Sequence, residues 1–356
     1  MKIGFTLISN IIIAVLTLLL YYIPDIAPQD FPIGAFLIFL IPFAILLNLL
    51  FVLIWAFKRP LIFCSLSIIV ILTGYKFIDR TLAIGKSTSK DKDFKVLNCN
   101  VRIFNVYDHL RDKDYKSSKG MLKWVTNFDT DVACLQEFFH SETDSIFFTQ
   151  EAIRKKFPYY YFQPFLISRR QHFGMAIFSK HPISNKGEIK FREHSNNQII
   201  FADIRLRKEI IRVYNVHLQS MSIDENDIIN SKFNDESKNK WINILIRYKN
   251  GSIQRGRQVD ELIKHIKSCP YKVIVCGDLN EPPYGYAYEE LSDQLDNAFQ
   301  KSGSGFGATY NGKLPFLRID NQFFDKGLRV NNFTIHKEMT YSDHYPISAS
   351  YVFEER

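Results

Sequence analysis

From residue 3 to residue 57 the only charged side chains are Asp25 and Asp30, and this stretch sets the class of molecule. Three apolar runs, residues 3–23, 31–57 and 61–78, follow one another with only short polar breaks. A helix needs about 20 apolar residues to cross a bilayer core. The first two runs reach that length, while the third is interrupted by Gly74 and Lys76. One such run could be a core helix of a soluble protein, but three in succession would leave no polar face for water. The first run is also too long for the apolar core of a signal peptide, and no small-residue cleavage site follows it. Residues 1–84 are therefore expected to form about three transmembrane helices.

Lys2, Lys58 and Arg59 favour a cytoplasmic N-terminus and second loop, with Asp25 and Asp30 outside. Three crossings would then place the rest of the chain on the extracytoplasmic side of a multi-pass membrane protein. Lys76, Arg80, Lys86, Lys90 and Lys92 argue the opposite way, for a cytoplasmic domain.

Residues 85–93 are polar and read as a linker, and from residue 94 to 356 the composition is that of a globular domain. Strand-like runs appear at 94–101, 131–136, 174–179, 199–206, 210–217, 272–276, 319–324 and 347–353, with amphipathic helical stretches at 119–128, 145–157 and 254–267. This alternation predicts an α/β domain with layered sheets. The hairpin-like pair 199–206 and 210–217 adds antiparallel pairing. The five cysteines, Cys64, Cys99, Cys134, Cys269 and Cys276, lie singly and show neither metal-ligand nor redox spacing, so buried reduced thiols are expected. A net charge of +8 suits either a phosphate-bearing substrate or anionic headgroups.

The chemistry sits at strand ends. Asn98-Cys99-Asn100 closes the first strand, and Asp131 to Glu137 ends the second on a carboxylate. Asn215-Val216-His217 ends a strand on an imidazole, and Cys276-Gly277-Asp278-Leu279-Asn280 ends one on a carboxylate and an amide. Arg318-Ile319-Asp320 and Ser342-Asp343-His344 complete the set. Each alone has an ordinary structural explanation: Asn100 as a turn residue, Glu137 or Asp278 as a helix cap, His217 as a satisfied core histidine. Together they form a hard-oxygen set with two imidazoles and no thiolate, which suits Mg²⁺ or Mn²⁺ better than Zn²⁺.

Read in order, LNCNV, DVACLQE, YNVHLQS, VIVCGDLN, RID and YSDHYP make this sequence resemble the endonuclease/exonuclease/phosphatase superfamily, across residues 94–353. The resemblance implies a four-layer α/β sandwich, two packed mixed β-sheets flanked by helices. It also implies roles: Glu137 and Asn100 as metal ligands with Asp343 contributing, and Asp278 orienting or deprotonating water. Asn280 would hold that water or a phosphate oxygen, His217 would contact the scissile phosphate, and His344 would be the catalytic histidine supported by Asp320. Whether His344 or Asp278 is the general base stays open. One departure is that Asp320 is followed by Asn321-Gln322-Phe323, where the family often has an aromatic and an aliphatic residue.

The reading that follows is a Mg²⁺-dependent hydrolase of phosphate esters, foremost a nuclease-like phosphodiesterase acting on nucleic acid. The alternatives are a phospholipid or sphingomyelin-type phosphodiesterase or phosphoinositide phosphatase at the membrane, and a catalytically silent tethered binding module. No protein partner is inferable. The basic stretch 238–257 reads as a solvated helix face, the aromatic run 157–165 as core and edge packing, and Gly303 to Gly307 as a mobile loop near the site that is no P-loop. His109, His140, His172, His194, His265 and His336 have no mutual ligand spacing.

Overall fold

The computed structural model describes residues 3–58, 61–85, 94–110, 114–168, 170–191, 197–206, 209–220, 235–314 and 316–353. The linker beyond Gly85, with Lys86, Lys90 and Lys92, as well as Arg59 and His194, lies outside the described residues, and so does the side chain of His109.

Among the described residues fourteen strands occur in chain order: β1 Ala83–Ile84, β2 Phe94–Asn100, β3 Val132–Ser141, β4 Tyr159–Ser168, β5 Gln171–Ser179, β6 Ile183–Ile189, β7 Ile199–Leu206, β8 Glu209–His217, β9 Lys272–Asp278, β10 Asp296–Asn297, β11 Ser304–Gly305, β12 Asp320–Phe324, β13 Leu328–Ile335 and β14 Ile347–Phe353. They build two six-stranded sheets, β10-β12-β9-β8-β7-β6 and β13-β14-β2-β3-β5-β4, and a two-stranded pair β1-β11. Each large sheet contains one parallel pair, β8/β9 and β2/β3, and is otherwise antiparallel.

Alternation along the strands dictates the layers, because successive side chains point to opposite faces. On β2 and β3, Val96, Val132 and Cys134 face inward, where they meet Ile200, Ala202, Val213 and Ile274 of the other sheet. Leu97, Ala133 and Leu135 face outward, onto Met121 and Val125 of the helix Lys116–Asn127. On the far side, Tyr214, Val216 and Val275 pack on Val259, Leu262 and Ile266 of the helix Asp235–Lys267. This is the four-layer arrangement that the resemblance implied.

Some elements differ from expectation. The helix expected at 254–267 runs instead over 33 residues from Asp235. Of the stretch 145–157, only Thr149–Arg154 is α-helical, after a 3-10 turn. The aromatic run becomes the edge strand β4, with Tyr160 and Phe162 packed and Tyr159 outward. The Gly303 to Gly307 stretch is no free loop: β11 pairs with β1, and the Gly85 N–H donates to Gly303 O at 2.8 Å. The face of the basic stretch is not simply solvated either, because Ile242, Leu245 and Ile246 are exposed there beside Phe36.

Two N-terminal helices, Gly4–Asp25 and Gly34–Lys58, are long and apolar enough to cross a membrane. The third run is not one straight helix. Leu61–Thr73 and Tyr75–Thr81 meet at a 59° bend. A Cβ on Gly74, at the bend, would stand 2.1 Å from the Tyr21 hydroxyl, so the closest approach of first and third segments needs glycine. Leu, Ile and Phe side chains point outward along these helices, whereas Asn10, Thr17, Asn48, Trp55 and Ser67 are buried between them. Asn10 Nδ2 donates to Ser67 Oγ at 2.7 Å, Trp55 Nε1 to Asn10 Oδ1 at 2.9 Å, and Asn48 Nδ2 to Thr17 Oγ1 at 2.8 Å. Apolar outside and hydrogen-bonded inside is the pattern helices adopt where the surroundings cannot hydrogen-bond.

The helices are stitched to the sandwich. Arg80 and Lys76 donate to the two carboxylate oxygens of Glu289, at 2.6 and 2.8 Å. Thr81 bonds the Tyr284 hydroxyl, Gln300 donates to Asp79, and Tyr248 donates to Ala35 O.

Candidate active site

Every singled-out residue lies at the same end of the two sheets, because β2, β8 and β9 end there and β12 and β14 begin there; β3 does not end on Glu137 as expected but runs on to Ser141, with Glu137 at an irregularity inside it. The register shows this directly: Asn100 pairs with Gln136, His217 with Asp278, and Asp278 with Asp320. Beneath the site the sheets are tied by a buried polar bridge in which Gln136 Nε2 donates to Asn98 Oδ1 at 2.7 Å and to Asn215 Oδ1 at 2.6 Å. Glu137 sits where the β3/β5 register shifts between Leu135 and Phe138, and it has a φ of 49°. Such a bulge re-aims a side chain, here out of the sheet and toward the cluster.

Asn100 Nδ2 donates to Glu137 Oε1 at 3.1 Å and lies 3.5 Å from Asp278 Oδ2. That same Asp278 oxygen is 3.8 Å from Nε2 of His217 and 3.8 Å from Nε2 of His344. Asn280, at a φ of 52°, donates its backbone N–H to Asp278 Oδ1 at 2.8 Å and its side-chain amide to Leu218 O. His344 Nδ1 pairs with Asp320 Oδ2 at 2.9 Å, which fixes its tautomer and leaves Nε2 facing the cluster. Asp343 stands at the margin: its side chain is 38% exposed and lies 3.6 Å from Arg102 Nε.

Burial pushes the Asp278 carboxyl up to about 6, and it raises Glu137 as well. Burial alone would discharge the His344 ring, but Asp320 and Asp278 outweigh it and hold the ring well above the ordinary imidazole range. His217 is shifted downward by burial, against the pull of Asp278. The two imidazoles are thus shifted in opposite directions, His344 toward the cation and His217 toward the neutral ring.

The residues fit a divalent cation. Glu137, Asp278 and Asp320 bring three buried or half-buried carboxylates against one charged imidazole, and Asp320 Oδ1 is buried with no hydrogen-bond partner. Asp278, Asp320 and His344, with atoms within 4.8 Å of one another, form an acidic and imidazole cluster next to Glu137 and Asn100. Hard oxygen donors with surplus negative charge are what Mg²⁺ or Mn²⁺ requires.

A family model described as the Endonuclease/Exonuclease/phosphatase family matches residues 97–344, a span that includes all eight site residues. The chain belongs to this family. Endonuclease/exonuclease/phosphatase proteins are metal-dependent phosphoester hydrolases, and this chain is a metal-dependent phosphoesterase of that kind. A second model, a domain of unknown function, matches residues 3–81. No curated protein matches the chain. Solved structures with the same fold include the human Nocturnin catalytic domain with bound sulfate, at 17% identity and a TM-score of 0.52, covering 75% of this chain and 97% of that one. A family protein from Bacteroides thetaiotaomicron matches at 14% and 0.51, covering 75% and 100%. Truncated TDP2 from Caenorhabditis elegans matches at 18% and 0.50, covering 74% and 98%. At these identities the likeness concerns the fold.

Several residues escaped sequence reasoning. The Ser342 hydroxyl donates to Asn100 O at 2.8 Å and accepts from the His344 N–H at 3.1 Å, fixing the loop before β14 to the end of its neighbour β2. Thr309 Oγ1 accepts the backbone N–H groups of Ile319 and Asp320, each at 3.1 Å. The Tyr310 ring stands edge-on to His344 with centroids 5.5 Å apart. Thr309 and Tyr310 lie outside the strand-end motifs, and Ser342, although inside YSDHYP, gains its role only from the fold, because a single Ser, Thr or Tyr in a loop carries no periodic signal. The departure after Asp320 is also explained: Gln322 Nε2 donates to Val96 O and Ile347 O of the opposite sheet, and Asn321 accepts from Arg318. Of the histidines left unassigned, His140 and His172 come together across β3 and β5, 5.9 Å between centroids, away from this cluster.

Proposed function

We propose that the chain is a Mg²⁺-dependent phosphodiesterase. Glu137 and Asn100 hold the ion with Asp343 beside them, and Asp278, Asn280, His217, Asp320 and His344 carry the hydrolysis. The observation that carries this reading is that one Asp278 oxygen lies 3.8 Å from Nε2 of both His217 and His344, with Asp320 2.9 Å behind the His344 ring. The bound ion supplies charge neutralisation at the phosphoryl group. Asp278 orients water and takes its proton as the water oxygen bonds to phosphorus. Asn280 steadies that water. As the ester P–O bond breaks, His344 gives a proton to the departing oxygen and Asp320 keeps its ring aligned. His217, neutral, donates one N–H to a phosphoryl oxygen.

We further propose that residues 1–84 are the membrane anchor, 85–93 the connection and 94–356 the catalytic domain, on the extracytoplasmic side. The loop between the first two helices and the start of the second touch the sandwich through Gln29 and Ala35, so the domain lies at the end opposite Lys58. Lys76 and Arg80, which argued for the cytoplasm, are matched by Glu289 and no longer count as free charges.

Nucleic acid and phospholipid both present the required phosphodiester. The full chain in amphipol, assayed with and without Mg²⁺ on plasmid DNA, sphingomyelin and 4-nitrophenyl methyl phosphate, tests the reading. Metal-dependent turnover that disappears in His344→Ala is expected. No turnover of any of them by a folded chain would favour the silent binding module.

A further inference from the structure

Beside the candidate active site, and sharing none of its eight residues, lies a cavity of about 1020 Å³. That is at the upper end of the ~300–1,000 Å³ typical of ligand sites. Its lining is mainly apolar and includes Phe43, Tyr284, Phe299, Phe306, Phe316 and Phe333. Phe306 and Phe316 are each 72% exposed and Phe43 63%, a concentration of bare apolar surface that a soluble protein would cover.

Two features give the cavity a direction. One wall is the second apolar helix, which contributes Phe43, so the cavity borders the part of the chain built to face hydrocarbon. The opposite walls are continuations of the catalytic loops. Pro282 follows Asn280 by two residues, Arg318 precedes Asp320 by two, and Ala308 precedes Tyr310, the ring on His344, by two. Two residues of extended chain span about 7 Å. The cavity therefore adjoins the site along three segments. Its three cations do not form a phosphate track: Arg80 is spent on Glu289, Arg318 is 3% exposed with hydrogen bonds to Asn321 and Arg80 O, and Lys337 alone is exposed. One atom is left over, the buried Arg318 Nε, which has no hydrogen-bond partner and belongs to a residue lining the cavity.

We infer that this cavity holds the hydrocarbon portion of an amphiphilic phosphodiester, a membrane lipid, whose phosphate reaches Asp278 and His344. This rests on the phosphodiesterase reading and names its substrate class. It reverses the order in which nucleic acid and lipid stood on sequence alone, because a nucleic-acid site needs a basic surface that tracks the backbone.

Two measurements on the full chain in amphipol decide it. In the first, 4-nitrophenyl alkyl phosphates from methyl to dodecyl are hydrolysed with Mg²⁺. KM is expected to fall with each added methylene, by up to about fourfold, until the cavity is filled. Ala308→Trp, or Leu317→Trp should the first variant fail to fold, is expected to raise KM for the dodecyl ester roughly tenfold or more and leave the methyl ester unchanged. A KM independent of chain length, with plasmid DNA cleaved, overturns the inference. In the second, a lysophosphatidylcholine with a diazirine at the acyl end is photolysed with the chain. Label on peptides holding Phe306, Phe316 and Phe43, lost in Ala308→Trp, is expected. Label confined to outward residues such as Leu16 and Leu46 overturns the inference. This second readout needs no turnover, so a failed phosphodiesterase reading and a failed cavity assignment are told apart.

Discussion

His344 Nδ1 lies 2.9 Å from Asp320 Oδ2, and both side chains are buried. The pair holds the imidazole cationic and aims Nε2 at Asp278. Asp320→Asn is predicted to lower kcat by about 10²–10⁴-fold, His344→Ala by a similar amount, and the double variant little further, because the two act as one unit. Steady-state kinetics on a soluble phosphodiester check this, and a loss under roughly threefold in either single variant would remove the pair from the chemistry.

The half-buried Glu137 carboxylate beside Asn100 is raised by burial when nothing neutralises it. A bound cation removes that cost, so Mg²⁺ or Mn²⁺ is predicted to raise the thermal midpoint of the full chain. EDTA should reverse the shift and abolish turnover, and Glu137→Gln should abolish both. An unchanged melting curve with millimolar metal, alongside full activity in EDTA, would contradict the metal assignment.

Glu289 receives Arg80 and Lys76 from the apolar helices. Burial alone would raise its carboxyl, but the two cations outweigh it and hold the group below its ordinary 4.5. A depressed value means the stabilisation is complete above 4.5 and is lost as pH falls through the lower folded-state value. Glu289→Gln leaves Arg80 buried without its counter-charge, a cost of about 3 kcal/mol. Hydrogen exchange in the helix Tyr286–Gln294 should therefore accelerate at pH 7 in the variant, and in the wild type only in strong acid. Equal exchange in both proteins would show that the docking does not depend on this charge cluster.

Gln136 joins the sheets by donating to Asn98 and Asn215. Gln136→Ala strands two buried acceptors and should destabilise the chain by ~2 kcal/mol, seen as a lower thermal midpoint. A midpoint within a degree or so of wild type would mean that water replaces the amide at no cost.

Much of the site was legible because its residues interrupt apolar strands. A carboxylate after Val132-Ala133-Cys134-Leu135, or an imidazole after Tyr214-Asn215-Val216, breaks a pattern that neighbouring residues define. Edge strands were harder to see. β6 carries Ser184, Asn185, Lys186 and Glu188, and β13 carries Arg329, Asn331 and Asn332, because an edge facing solvent needs no continuous apolar alternation. The aromatic run at β4 showed its content but not its register.

Sequence by itself determined the apolar character of the first 84 residues, the α/β class of the rest and the identity of the eight side chains at the site. Each is a local property of composition, period or strand ending. Only the tertiary structure decided which oxygen of Asp278 the two imidazoles share, that Ser342 and Thr309 brace the site, and that the apolar helices dock through Arg80 on Glu289 beside an aromatic cavity. Those relations join residues up to 242 positions apart, and only strand pairing within a sheet and packing between the layers bring such distant groups within hydrogen-bond reach.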